Sequence, residues 1–136
     1  MLSNLQIIET FYKDCLTVNS SHDSSKILNE ILADDFQSIN AHEVETKTML
    51  IEQVKFFWDL IPDLKWEPQE IIEAGNRVIV RSVATGSPQG EFFGLKLDGS
   101  KSFNIMSIDI HTIENGKIVT AYHQEEWLTA LKQLSN

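Results

Sequence analysis

The sequence predicts an α+β fold in which helices pack on one face of an antiparallel sheet. Three observations lead there. Apolar residues recur at helical spacing through the first 61 positions, and from position 64 strand-forming residues take over. Two pairs of these later runs are joined by the dipeptides Gly75-Asn76 and Asn115-Gly116, which favour two-residue hairpin turns because such turns need positive φ. Helices first and a meander of strands after is the order of an α+β layer fold, and a curved sheet over helices encloses a cone-shaped cavity. At 136 residues and 42% apolar content, the chain is expected to form one domain, 1–136, around one core.

The first helix is expected over residues 4–18. Ser3 followed by Gln6 is a capping box, and Leu5, Ile8, Tyr12 and Cys15 form a stripe widened by Phe11 and Leu16. A second helix follows a polar loop, capped by Asp23 or Ser24, with Ile27, Leu28, Ile31 and Leu32 buried. Residues 34–40 turn into a short strand and 41–45 form a loop. The third helix starts near Thr46 and ends at Ile61, because Pro62 forces the residue before it into extended geometry. Leu50, Val54, Phe57 and Ile61 line its buried side, with Phe56 and Trp58 broadening it. Strands follow over 64–74 and 77–85, in a register that sets Glu70 opposite Arg81, then a short strand over 91–97 and a turn at Asp98-Gly99. From Trp127, Leu128, Leu131 and Leu134 mark a short closing helix.

The Asn115-Gly116 hairpin carries the candidate chemistry. A regular two-residue loop pairs Thr112 with Val119, Ile110 with Ala121, Ile108 with His123 and Met106 with Glu125. That face is apolar except at its far end, where His123 and Glu125 sit. It suits the wall of a pocket for a small apolar molecule, and equally a core holding one hydrogen-bonded histidine. The other face takes Asp109 and His111, expected at the surface or a dimer interface unless a bulge or one-residue slip brings them inward.

Composition narrows the partners. A formal charge of −9 would repel phosphate backbones and anionic membrane surfaces, so neither nucleic acid nor membrane is expected. Cys15 is the single cysteine and can form no internal disulfide. The start of the chain lacks a basic segment followed by an apolar one, and no stretch is apolar enough to span a bilayer, which makes the cytoplasm the default location. The four histidines show no metal-ligand spacing, so no metal is expected. Glycine-rich nucleotide loops and a Gly-x-Ser-x-Gly nucleophile elbow are absent, so no cofactor is expected either.

Several segments together are similar to the SnoaL-like polyketide (ester) cyclase family. They are Pro62-Asp63-Leu64 after a long helix, residues 75–81, Gly90-Glu91-Phe92-Phe93-Gly94 with Asp98-Gly99, residues 109–119, Tyr122-His123, and Glu126-Trp127-Leu128 with residues 131–134. The resemblance covers nearly the whole chain. It implies the nuclear-transport-factor-2-like (cystatin-like) cone, a strongly curved antiparallel sheet packed on the N-terminal helices, a homodimer formed through the outer sheet face, and ring closure without cofactor or metal by an aspartate in an apolar cavity. Three positions differ from that pattern. His123 stands where the cyclases carry the aspartate, Pro88 where a histidine is frequent, and Thr112 where an arginine is usual.

Taken together, these readings make His123 the catalytic candidate, as an imidazole able to move a proton near neutral pH. The alternative is a histidine held by Glu125, Glu126 or a backbone carbonyl, with no chemistry. Arg81 or Tyr12 would polarise a carbonyl; otherwise Arg81 pairs with Glu70 and Tyr12 is a core tyrosine. Trp58, Met106, Ile108, Ile110, Ala121 and Glu125 are the expected substrate-binding wall. Trp66, Phe56 and Phe57 are core residues of which one or two could reach the rim. The expected activity is acid/base chemistry on a small apolar carbonyl or lactone; the alternative is a binding or interaction module of the same fold.

Overall fold

Ser3 opens α1 (Asn4–Thr10) through the capping box: its hydroxyl accepts from the Gln6 amide, and the Gln6 side chain accepts from the Ser3 amide. The computed structural model, which describes residues 2–135, then widens this helix into a π-helical turn over Phe11–Leu16. Such turns commonly mark functional positions, and this one buries Phe11, Tyr12 and Cys15 together. Asp23 caps α2 (Ser24–Ile31), which leads into β1 (Leu32–Ile39) and β2 (Val44–Thr46). Thr46 caps α3 (Lys47–Leu60), whose last turn gives way at Ile61, the residue before Pro62.

The strands β3 (Lys65–Ala74), β4 (Arg77–Gly86), β5 (Gln89–Phe92), β6 (Leu95–Asp98), β7 (Phe103–Glu114) and β8 (Lys117–Glu125) follow, and α4 (Trp127–Leu134) closes the chain. Six of the strands form one open sheet in the order β2-β1-β8-β7-β4-β3. The sheet is mixed, because β1 runs parallel to β8. A purely antiparallel meander was the expectation; the parallel pair joins strands from opposite ends of the chain, which local sequence cannot display. The single strand expected over 91–97 is instead the hairpin β5–β6, folded back at Phe93 (φ 48°) and Gly94 (φ 83°). Gly86 is fixed by close approach: a Cβ there would overlap Ile61 Cγ2.

The helices cover one face of the sheet. Val78, Val80, Ala84, Ile105, Ile113 and Ile118 are buried in one core with Ile8, Phe11, Leu28 and Val54. The opposite face carries Ile72, Met106, Ile108 and Tyr122, which keep 48, 39, 42 and 46% of their surface exposed. Among the described residues no helix is long and apolar enough to cross a membrane.

One bulge decides what faces the core. The β7–β8 hairpin begins as expected, with Glu114 opposite Lys117 and Ile113 opposite Ile118. Val119 is then skipped, and Thr112 pairs with Thr120, His111 with Ala121 and Asp109 with His123. An extra residue reverses the parity of one strand against the other. The expected pairing of Met106, Ile108 and Ile110 with the His123 face is therefore corrected. Ser107, Asp109 and His111 are buried instead, on the side of Ala121, His123 and Glu125.

Candidate active site

The open end of the cone holds a cavity of about 350 Å³, within the range of small-molecule sites. The inner faces of β7 and β8 supply Asp109, His111, Ala121, His123 and Glu125. Phe11, Phe57, Trp66, Phe93 and Trp127 add aromatic surface, while Ser38 from β1, Glu45 from β2 and Gln53 from α3 add polar groups. Trp127 makes ring contacts with Phe57, Trp66, Phe92, Phe93 and Phe103, tying the β5–β6 hairpin and α3 to the end of β8. The Trp66 indole is satisfied by Ser107 Oγ at 3.0 Å.

His123 and Glu125 lie two residues apart on one strand and so share a face. His123 Nδ1 stands 2.8 and 2.9 Å from the two Glu125 oxygens. Nδ1–H donates to the carboxylate, which makes Nε2 the atom available for chemistry. Nε2 is buried with no hydrogen-bond partner. The bond to Glu125 raises the His123 pKa above its usual value against the opposing effect of burial, and the charges of Glu125, Asp109 and Glu45 add to the rise. Burial also raises the Glu45 carboxyl.

A second cluster lies beside the first. Tyr12, wholly buried on the π-helical turn, places its hydroxyl 2.5 Å from Asp109 Oδ2 and 2.7 Å from His111 Nε2. Burial pushes the Asp109 carboxyl up to about 7, with the Tyr12 hydrogen bond opposing and Glu125 reinforcing the rise. Burial pushes His111 down to about 3, so the ring is neutral. Asp109 Oδ1 and His111 Nδ1 have no partner. Two neighbouring strands thus hold titratable groups driven in different directions, the usual sign of an acid–base site.

Asp109, His123 and Glu125 each offer an atom within 4.8 Å of the other two. No linear motif announces this set, since it is assembled across two strands. Within the set Glu125 holds His123 Nδ1 with both oxygens, while Asp109 is held from outside it by Tyr12.

Of the residues singled out by sequence, His123, Glu125 and Ala121 line the cavity, while Tyr12 lies behind its wall and touches Asp109 and His111. Arg81 is on the outer face, where its Nε donates to Glu70 Oε1 at 3.1 Å; both side chains are half exposed. It is therefore the cross-strand pair and not a cavity group. Trp58 turns its indole to the Cys15 carbonyl at 2.8 Å and stands outside the lining. Met106, Ile108 and Ile110 are also outside it, for the reason of register given above. Asp109 and His111 are the cavity residues that the regular register placed on the wrong side. Their signal was present in the alternation of β7, where buried Phe103, Ile105 and Ile113 share their parity.

The family model for SnoaL-like polyketide cyclases matches residues 6–134. The chain belongs to the SnoaL-like polyketide cyclase family. Solved structures agree on the fold of this SnoaL-like chain. One is a protein from Jannaschia sp. CCS1 assigned as a SnoaL-like polyketide cyclase, at 17% identity and TM-score 0.83, covering 97% of this chain and 91% of that one. Another is IdmH from Streptomyces antibioticus, assigned as a polyketide cyclase, at 22% identity and TM-score 0.82, covering 99 and 100%. A third is a ketosteroid isomerase-like protein from Catenulispora acidiphila solved with trimethylamine, at 13% identity and TM-score 0.75, covering 96 and 92%. No curated protein sequence matches this SnoaL-like chain.

Proposed function

We propose that this SnoaL-like protein binds a small, largely apolar carbonyl, lactone or polyketide-like molecule in the cone and moves a proton on it through His123. One observation carries the reading: His123 lines an aromatic-walled cavity with Nδ1 fixed by Glu125 and Nε2 unpartnered. In its charged form the ring donates from Nε2 to a carbonyl or leaving oxygen. In its neutral form Nε2 accepts a proton from carbon or water. The aromatic walls supply affinity and keep water from competing for the proton. Ligands retained by the purified protein, identified by native mass spectrometry and extended to a panel of polyketide-like ketones and lactones, provide the assay. His123→Ala is expected to lower turnover by about 10²-fold or more while affinity changes only a few-fold. Equal turnover by variant and wild type would remove His123 from the chemistry and leave a binding protein.

The outer sheet face supports a second part of the proposal, a homodimer. Ile72 on β3, Met106 and Ile108 on β7 and Tyr122 on β8 are partly exposed on one face of the sheet, an arrangement that favours burial against a like surface. Ile108→Lys places a charge on that face without touching the cavity. Wild type is expected to sediment as a dimer and the variant as a monomer; a wild type that is monomeric at every concentration refutes the interface.

A further inference from the structure

Tyr12 makes two hydrogen bonds with one proton. Its oxygen is 2.5 Å from Asp109 Oδ2 and 2.7 Å from His111 Nε2. The phenol stays protonated, because burial and the Asp109 charge hold its pKa well above 10.0. His111 stays neutral, with one ring nitrogen protonated and the other bare. When a proton on Asp109 is carried by Oδ2 rather than by the unpartnered Oδ1, two arrangements satisfy both contacts. With Asp109 ionised, Tyr12 donates to Oδ2, His111 donates from Nε2 to the phenol oxygen, and Nδ1 is a bare lone pair. With Asp109 protonated on Oδ2, every donor reverses. Asp109 donates to Tyr12, Tyr12 donates to Nε2, and the ring proton sits on Nδ1. A proton taken up on Oδ2 thus switches the tautomer of His111, although the two side chains need not touch.

The far end of this chain is the buried His111 ring. His111 lines the cavity, and its Nδ1 has no partner. We propose that His111 Nδ1 is a second proton-exchange point of the site, with Tyr12 relaying the proton to and from Asp109. In the forward step a substrate proton passes to Nδ1, leaving its bonding electron pair on the substrate. The Nε2 proton moves to the phenol oxygen, and the phenol proton moves to Asp109 Oδ2. Substrate has lost one proton and Asp109 has gained one; Tyr12 and His111 end neutral, as they began. The reverse shift returns the proton.

The relay answers an otherwise awkward pairing. A histidine whose pKa is near 3 is by itself a poor base. Joined to Asp109, whose pKa is near 7, its Nδ1 gains the proton affinity of the carboxylate without forming a buried imidazolium. The charged and titratable groups acting on Asp109 are Tyr12, Glu125 and His123; those acting on His111 are Tyr12 and His123, with Phe11 as an apolar ring at 5.4 Å. His123 opposes a positive charge on His111, so the two imidazoles divide the work: His123 gives a proton and His111 takes one. The use of the relay in turnover rests on the function proposed above; its existence does not.

The experiment needs no substrate. The full-length protein is labelled with ¹⁵N in its histidine rings, and the protonated and bare nitrogens of His111 are followed by NMR from pH 5 to 9. Wild type is expected to switch from Nδ1–H to Nε2–H as the pH rises, with the same midpoint as the Asp109 carboxyl followed by ¹³C. Asp109→Asn is expected to show one tautomer throughout. In Tyr12→Phe the Asp109 carboxyl still titrates and His111 no longer follows it. A single His111 tautomer across the range in wild type overturns the relay, as does a switch that survives in Tyr12→Phe. Should Tyr12→Phe fail to fold, wild type against Asp109→Asn decides. A tautomer switch together with unimpaired turnover in His123→Ala would leave the relay standing and remove the His123 mechanism; the opposite pair of results removes the relay alone.

Discussion

Asp109→Asn is expected to gain on the wild type by about 3–4 kcal/mol of folding stability as the pH rises from 4 to 8, at about 1.36 kcal/mol per unit of pKa shift. The cause is burial. Asp109 is only 4% exposed, and its carboxyl is raised from the ordinary 3.8 to about 7. In the unfolded chain it ionises freely above pH 4. In the fold it resists ionisation until pH 7. Raised pKa in the folded state means that stability is full below the unfolded value and is lost as the pH climbs through the folded one. Asparagine has no such titration, and its side-chain oxygen can still accept from Tyr12. Its amide nitrogen replaces the unpartnered Oδ1, at a cost of roughly 1–3 kcal/mol if it stays unsatisfied. That cost is the same at every pH and drops out of the difference. Urea unfolding of both proteins at pH 4 and pH 8 measures it. A stability gap that does not change with pH would mean that Asp109 is not held in a dry, hydrogen-bonded position.

A protein that keeps such a carboxylate spends stability on it, and the position explains why sequence reading reached part of the site but not the rest. Helical spacing, the Ser3 capping box, Pro62 and the two hairpin dipeptides are local signals, and they located the helices and the long strands. The Glu70–Arg81 pair was legible because β3 and β4 keep the register of their turn from Ala74–Arg77 to that point. His123, Glu125 and Ala121 were legible as one face because they alternate on one strand. Asp109 and His111 were not, because their side depends on a single extra residue, Val119, and either side of β7 is apolar enough to be the buried one. Met106 and Ile108 are partly exposed yet apolar, which mimics a core face. The parallel partnership of β1 with β8 joins residues such as Ser38 and Ala121, too distant in sequence for spacing to reveal.

His111→Gln is expected to tilt stability the other way, gaining about 3 kcal/mol on the wild type as the pH falls from 8 to 4. His111 is 1% exposed, and burial lowers its pKa from 6.5 to about 3. The unfolded chain takes up a proton on this ring below pH 6.5, while the folded chain refuses it until about pH 3. A depressed pKa gives stability that is full above the unfolded value and fades as the pH falls toward the folded one. Over the interval in which Asp109 makes acid conditions favourable, His111 makes them unfavourable by a similar amount, and the two slopes largely cancel in the wild type. Glutamine can offer Tyr12 either an oxygen or a nitrogen, so the phenol keeps a partner while the titration disappears. Denaturation of wild type and His111→Gln across pH 4–8, beside Asp109→Asn, should give two single variants whose stability differences from wild type slope in opposite directions. Parallel slopes would mean that the ring is charged or solvated in the fold, and the neutral imidazole on which the relay depends would be ruled out.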